Sequence, residues 1–429
     1  MDESLSLRGA AFACKSNILQ QGFKMCIQDL YDKDSNSQGF VNFGTSENKI
    51  CFDLLHERLT RPDLNYLEPS LLEYNAPYGI KSLREAAAEF LSYYCQAPVP
   101  LNPDNIIILN GCNSIFCSLS ASIFNPGDGF LIPTPYYNLI DEYTGAYTGA
   151  RPIHVPLSSK VTETENYPFQ LTIKKLEDAM EEGKKEGIPI KALILINPQN
   201  PLGEIYSKEF LVECLDFGQR HNLHVIIDEI YMLSVFNNAT FTSVLSLHEV
   251  PDPEMTHFIW GLGKDFAMSG MRIGIFYTKN QHVLKSMSHL ALFHQCPGPT
   301  QYVISRLLGD REWLENTFIP GNRQRLKESQ LIMVHGLQDL GIPVLKSSAG
   351  LYVWADFRKF LTAQTLEAEM ELWWRFLGEK LYIAPGKAFE CYEPGWFRLT
   401  FSLPSDLLQA GLKKLKKLLK QETKTENCN

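Results

Sequence analysis

The sequence predicts an α/β fold: a largely parallel sheet covered by helices, followed by a second, smaller domain. Three observations point there. Short, almost wholly apolar runs at 106–109, 130–132, 192–196, 225–227, 258–260 and 273–277 alternate with helical stretches. Runs apolar on both faces suit strands of a parallel sheet, because such strands are buried above and below. Several of the runs end in polar or glycine-bearing turns, at 110–114, 133–137, 197–203 and 228–231, and ligands of open α/β sheets bind where the carboxyl ends of strands meet. The 429-residue length suits about two domains, since compact domains run to roughly 100–200 residues.

In chain order, residues 1–40 are polar and mixed and end in the loop-like Asp32-Lys-Asp-Ser-Asn-Ser-Gln-Gly39. Phe52, Leu54, Leu55 and Leu59 have helical spacing, with a cap expected near Ser46. Residues 81–95 predict a second amphipathic helix, with Leu83, Ala87, Phe90, Leu91 and Tyr94 on one side. Between the two helices, Glu73-Tyr-Asn-Ala-Pro77-Tyr78-Gly79 is a turn. After the apolar runs, 283–308 is helical with a break at Cys-Pro-Gly-Pro-Thr-Gln301. The smaller domain opens at Arg311 with a long helix through 325–340, followed by strand-like runs at 350–356 and 396–401. In the tail, 407–420, five lysines stand opposite Leu412, Leu415, Leu418 and Leu419. A solvated helix packed on its leucine face is expected there, rather than a membrane-surface helix.

Hydrophobic residues make up 45% of the chain and charged residues 21%, an ordinary globular composition. A net charge of −9 argues against nucleic acid as the main partner, since phosphate neutralisation needs surplus Lys and Arg. No apolar run reaches the ~18 residues of a membrane span, and the acidic start lacks the apolar centre of a secretory signal. The ten cysteines form neither a CxxC motif nor a zinc framework, so reduced thiols in the cytoplasm are the expected state. His221 and His224 are expected to be structural rather than a metal pair.

The chemistry concentrates on Trp260-Gly-Leu-Gly-Lys264-Asp-Phe-Ala-Met-Ser-Gly270-Met-Arg272. A lone lysine between apolar runs, with glycines on both sides and an arginine further on, can bring an amine and a guanidinium to one small anionic ligand. A ligand carrying an aldehyde and a phosphate satisfies both, which describes pyridoxal phosphate, held as a Schiff base by Lys264 with its phosphate against Arg272. A lysine in a solvated turn would look the same in isolation. Asp228, at the end of Val-Ile-Ile, is the candidate carboxylate for the pyridinium nitrogen, the alternative being a helix N-cap. Tyr231 and Asn200 are candidates for the ring's phenolate oxygen. Gly111-Cys-Asn113-Ser114, between a strand and a helix, offers amides to a phosphate. Tyr137 can stack on the ring or simply pack the core. Arg398 offers a fork to a substrate α-carboxylate, or is a surface arginine.

These motifs, in this order from about residue 40 to 405, resemble the landmarks of the class I aminotransferase superfamily, the fold-type I pyridoxal-phosphate transferases. Within it, Phe-Gly-Thr-Ser-Glu47-Asn48-Lys-Ile-Cys-Phe-Asp53, Pro133-Thr-Pro-Tyr-Tyr137 and Lys264-Asp-Phe-Ala-Met-Ser-Gly270 are most similar to 1-aminocyclopropane-1-carboxylate synthases and their animal synthase-like homologues. The resemblance implies a seven-stranded, mainly parallel sheet in a large cofactor-binding domain over 76–310. It also implies a smaller α/β domain formed by both chain ends, 41–75 and 311–429, with 1–40 as an extension. Lys264 becomes the Schiff-base lysine and, once freed, the base that removes an α-proton from an L-α-amino acid, with a transaminase or lyase outcome. By the same resemblance Asp228 partners the ring nitrogen, Asn200 and Tyr231 bind the ring oxygen, and Asn113, Ser114 and Arg272 bind the phosphate. Glu47 lies near the substrate and Arg398 takes its carboxylate. A cytoplasmic homodimer with shared active sites is implied as well. The chain departs from the family pattern at Gly261 and Gly263, where hydroxyl residues usually precede the lysine, and at Pro77, where an aromatic usually reaches the partner's phosphate. Those departures support an alternative, a catalytically weak or inactive homologue that retains the cofactor in a regulatory or scaffold role.

Overall fold

The computed structural model describes residues 4–64, 66–163 and 165–426. Its strands are β1 (Val41–Asn42), β2 (Ile106–Leu109), β3 (Gly129–Thr134), β4 (Arg151–Pro156), β5 (Ile190–Ile196), β6 (His224–Asp228), β7 (Thr256–Gly261), β8 (Gly274–Thr278), β9 (Tyr352–Asp356), β10 (Leu381–Tyr382), β11 (Ala384–Pro385) and β12 (Trp396–Thr400). Seven of them make one sheet in the order β2-β8-β7-β6-β5-β3-β4. Neighbours are parallel except at β8, which is antiparallel to both β2 and β7. Each apolar run read from the sequence is a strand of this sheet. The remaining strand, β4, has only β3 beside it, and its residues Arg151-Pro-Ile-His-Val-Pro156 are mostly part-exposed, so it carries no apolar run. Two prolines are tolerated there because an edge strand need not donate on its free side.

Alternation along the strands feeds two cores on opposite faces of the sheet. Ile106, Ile108, Val225, Ile227, Phe258 and Trp260 enter one, while Ile107, Leu109, Ile226, Ile259 and Phe276 enter the other. Helix Lys81–Tyr94 covers one side as its spacing predicts. Helix Gln281–Leu290 ends ahead of the expected break at 296–301, and helix Gly298–Gly309 begins within it.

A third core, with Val41, Phe43, Leu326, Met333, Tyr352, Phe397 and Leu415, is built on the antiparallel sheet β11-β12-β9 and helix Ile319–Gln338. β1 pairs in parallel with β10, which brings an early segment of the chain onto its last third. The tail is helix Ser405–Glu426, with Leu408, Leu415, Leu418 and Leu419 buried in that core, so its leucine face is packed against the protein.

Two stretches differ from the sequence reading. The helix Phe52–Leu59 begins after Cys51 without any side-chain cap, and Ser46 instead turns its hydroxyl to the Tyr231 phenol, 3.2 Å away. Residues in the polar N-terminal region form two helices, Leu7–Cys14 and Ile18–Ile27, capped by the Ser6 and Asn17 side chains. Both are short, and Leu7, Phe12, Phe23 and Ile27 stay exposed, so no clean apolar stripe marks them. The two histidines go to separate partners: His221 meets Glu177 at 2.9 Å and His224 meets His257 at 2.8 Å.

Candidate active site

The loops leaving β2, β3, β5, β6 and β7 converge on one cavity of about 380 Å³. It receives Gly111, Cys112 and Asn113 from the first, Tyr137 from the second, Asn200 from the third, Asp228 and Tyr231 from the fourth and Lys264 from the fifth. Arg272 lies just before β8, and because β8 runs antiparallel its start sits at the carboxyl ends of the other strands. Glu47 and Arg398 enter from the other core's side of the cavity.

Gly111 makes the Arg272 end possible. Its φ is +85°, and a Cβ there would lie 2.5 Å from Arg272 Nη2 and 2.9 Å from Asn113 Oδ1. Only glycine lets the guanidinium rest in the turn ahead of helix Cys112–Ile123. Arg272 itself has a φ of +56°, a conformation that bulky side chains avoid and that tends to occur at functional sites. Its Nη2 donates to Asn113 Oδ1 (2.9 Å) and its Nη1 to the Ser269 carbonyl (3.1 Å).

A single hydrogen-bond chain runs across the other end. Arg398 Nη1 donates to Asn200 Oδ1 (3.0 Å), Asn200 Nδ2 donates to the Tyr231 phenol (3.5 Å), and Tyr231 bonds Ser46 Oγ (3.2 Å). Lys264 Nζ closes it on the Ser46 carbonyl at 2.5 Å. Arg398 also donates from Nη2 to the Gly44 carbonyl (2.6 Å) and lies over the Tyr352 and Phe389 rings. Its Nε is buried with no hydrogen-bond partner, an unsatisfied donor at the site.

Burial dominates the electrostatics. It lowers the Lys264 amine to about 8, with Arg398 adding to the effect. It raises the Asp228 carboxyl to about 7, against the lowering by the Ile230 N–H it accepts (3.2 Å) and by Lys264. It also pushes the Tyr231 phenol up to about 12. Covalent capture of an aldehyde needs the neutral amine. The rate at which the cofactor-free protein captures pyridoxal phosphate is therefore expected to climb as pH rises through about 8 and then level, followed by absorbance. A rate flat from pH 6.5 to about 9.5 would contradict a perturbed lysine.

Every residue singled out for the site lines this cavity except Ser114. Its hydroxyl donates to the Asn110 carbonyl within its own helical turn (3.0 Å), a local bond that short hydroxyl side chains favour. Tyr137 both lines the cavity and packs against the apolar core. Glu47 is ion-paired with Lys49 (3.4 Å) at the rim. Ser46, Tyr143, Tyr382, Leu19, Gln20 and Phe23 also line the wall, and no motif in the sequence marks them for it. The last three come from helix Ile18–Ile27, which is seated by the Tyr382 phenol donating to the Leu19 carbonyl (3.0 Å).

The donor set fits pyridoxal phosphate. The Gly111 turn with Arg272 offers an anion cradle, the Lys264 amine a nucleophile, and the desolvated Asp228 carboxyl a partner for a ring cation. A mainly parallel sheet with these groups at its strand ends defines a fold-type I pyridoxal-phosphate-dependent transferase. Residues 41–415 match the family model for aminotransferase class I and II, and the chain belongs to that family. Human 1-aminocyclopropane-1-carboxylate synthase-like protein 1 is 47% identical, over 97% of this chain and 83% of its own length. The human probable inactive 1-aminocyclopropane-1-carboxylate synthase-like protein 2 is 43% identical over 98% and 74%. Arabidopsis thaliana 1-aminocyclopropane-1-carboxylate synthase 4 is 34% identical over 95% and 88%. Among solved structures, an aspartate aminotransferase double mutant of Thermus thermophilus has the same fold, with a TM-score of 0.75 at 21% identity over 96% of this chain and 99% of that one.

Proposed function

We propose that this protein is a pyridoxal-phosphate-dependent enzyme of the 1-aminocyclopropane-1-carboxylate synthase-like type, acting on an L-α-amino acid. One observation carries the reading: the Lys264 amine, the Asp228 carboxyl, the Tyr231–Asn200 pair, Arg272 and Arg398 share a single cavity. When bound, the cofactor supplies an aldehyde for the substrate amine and a ring that accepts electrons. Arg272 and the Asn113 turn hold its phosphate, Asp228 keeps a proton on the ring nitrogen, and Tyr231 with Asn200 hold the ring oxygen. Ser114 belongs to the same phosphate-binding turn, where its hydroxyl donates to the Asn110 carbonyl. Arg398 orients the substrate by its α-carboxylate, Glu47 faces the rest of it, and Lys264 Nζ removes the α-proton. Leu19, Gln20 and Phe23 of helix Ile18–Ile27 limit the access of water.

With the cofactor bound, the same residues would serve either a transaminase or a lyase that expels a γ-substituent. Incubation with S-adenosylmethionine and with common L-amino acids, analysed for cyclopropane amino acid and for keto acid, separates the two. Formation of either product supports the reading, and absence of both from cofactor-loaded protein favours the alternative of an inactive homologue. That alternative is supported by Gly261 and Gly263 and by the name of the 43%-identical human relative.

Arg398→Lys keeps a charge but loses the fork, so KM for the amino acid is expected to rise about 10- to 100-fold, more than kcat falls, in steady-state kinetics. A homodimer is part of this proposal, supported by the exposed Leu72, Tyr74, Leu292 and Phe293, and light scattering at twice the chain mass is the expected result. The division into 76–310 and a smaller unit from 41–75 with 311–429 draws support from the β1–β10 pairing. A cytoplasmic location draws support from the free thiols of the described residues.

A further inference from the structure

The two glycines before Lys264 are not equivalent. Gly261 lies in extended backbone at the end of β7, and a Cβ there would stand 2.8 Å from Cys112 Sγ and 2.8 Å from the Ile273 carbonyl oxygen. The space a side chain would take at 261 is already filled by the Cys112 thiol. Gly263 is open by comparison: a Cβ would meet Ser269 Cα at 3.4 Å and Ser269 Oγ at 3.5 Å, which is ordinary contact. The hydroxyl next to that position therefore belongs to Ser269.

We propose that Cys112 and Ser269 supply the side-chain donors to the cofactor's phosphate that positions 261 and 263 lack, so that the cradle is rebuilt from two other segments of the chain. This rests on the pyridoxal-phosphate reading above. Cys112, Ser269 and Arg272 line the same cavity, Cys112 as the first residue of the helix that follows the Gly111 turn. Ser269 is tied to the arginine, whose Nη1 bonds its carbonyl at 3.1 Å. Its Oγ donates to the Gly263 carbonyl at 2.8 Å, and the proposal has that hydroxyl turn to the phosphate when the cofactor binds. Burial raises the Cys112 thiol well above its ordinary pKa, so beside an anion it remains an S–H donor and not a thiolate.

The test titrates cofactor-free protein with pyridoxal phosphate and with pyridoxal, following absorbance, for the wild type, Cys112→Ala, Ser269→Ala and the double variant. Each single change is expected to weaken pyridoxal phosphate about 2- to 10-fold and the double about 10- to 100-fold, with pyridoxal affinity unchanged. Gly263→Ser placed in the Ser269→Ala protein is expected to recover most of the loss, and Cys112→Ser to bind like the wild type. Wild-type protein that takes up no pyridoxal phosphate overturns the parent reading. Uptake by the wild type with equal affinity in the double variant overturns this inference alone, as does an equal loss for pyridoxal and pyridoxal phosphate. Circular dichroism melts check folding, and if the double variant is unfolded the single variants decide by the same criteria.

Discussion

Lys264→Ala is expected to leave the protein folded while abolishing covalent cofactor attachment and lowering turnover by at least about 10⁴-fold, the combined loss of a nucleophile and a general base. The fold should tolerate the change because the side chain ends in a cavity of about 380 Å³ and not in a packed core. Its amine is desolvated, which lowers its pKa to about 8, and its one hydrogen bond is to the Ser46 carbonyl. Removing it takes away an unfavourable buried charge along with that bond. Thermal midpoints of the cofactor-free wild type and variant are therefore expected to agree within a few degrees. The variant should still bind pyridoxal phosphate weakly and reversibly through Arg272 and the Gly111 turn. A variant that retains turnover would show that another group moves the α-proton.

Asp228→Asn is expected to move stability and activity in opposite directions. Burial raises the carboxyl from 3.8 to about 7, so the folded protein holds this proton more tightly than the unfolded chain does. The associated stability is fully present below the unfolded pKa and is lost as pH rises through about 7. At pH 8 the cofactor-free wild type carries the full cost of a buried carboxylate, on the order of 4 kcal/mol, and the amide does not. The variant should melt higher than the wild type at pH 8, with the gap closing toward pH 5. With a ring cation opposite, the carboxylate becomes the better partner. Activity of the loaded variant should then fall about 10²- to 10⁴-fold, since a neutral amide cannot hold a proton on the ring nitrogen. Equal melting at both pH values would contradict an uncompensated buried carboxyl.

Much of this arrangement is legible in the sequence because Asn113, Tyr137, Asn200, Asp228, Tyr231 and Lys264 end or follow strands that are apolar on both faces. Asp228 ends Val-Ile-Ile in β6, Lys264 follows the glycine that closes β7, and the Asn113 turn follows β2, so finding the strands finds the crevice. What escaped depends on tertiary contacts. β4 carries no apolar run because one of its sides has no neighbour. Ser46 looks like a cap, yet the helix starts later without one, and its hydroxyl and carbonyl are spent on Tyr231 and Lys264. Ser114 lies in the turn that the sequence marks, and its hydroxyl bond to the Asn110 carbonyl could not be read from the chain. The cavity wall formed by Leu19, Gln20 and Phe23 depends on a helix whose docking against Tyr382 spans the length of the chain.

The most direct measurement is borohydride reduction of the protein after incubation with pyridoxal phosphate, followed by peptide mass spectrometry. A single reduced pyridoxyl adduct on the peptide that contains Lys264 is the result expected. An adduct spread over surface lysines, or none at all, would contradict the assignment of that buried amine as the cofactor's anchor.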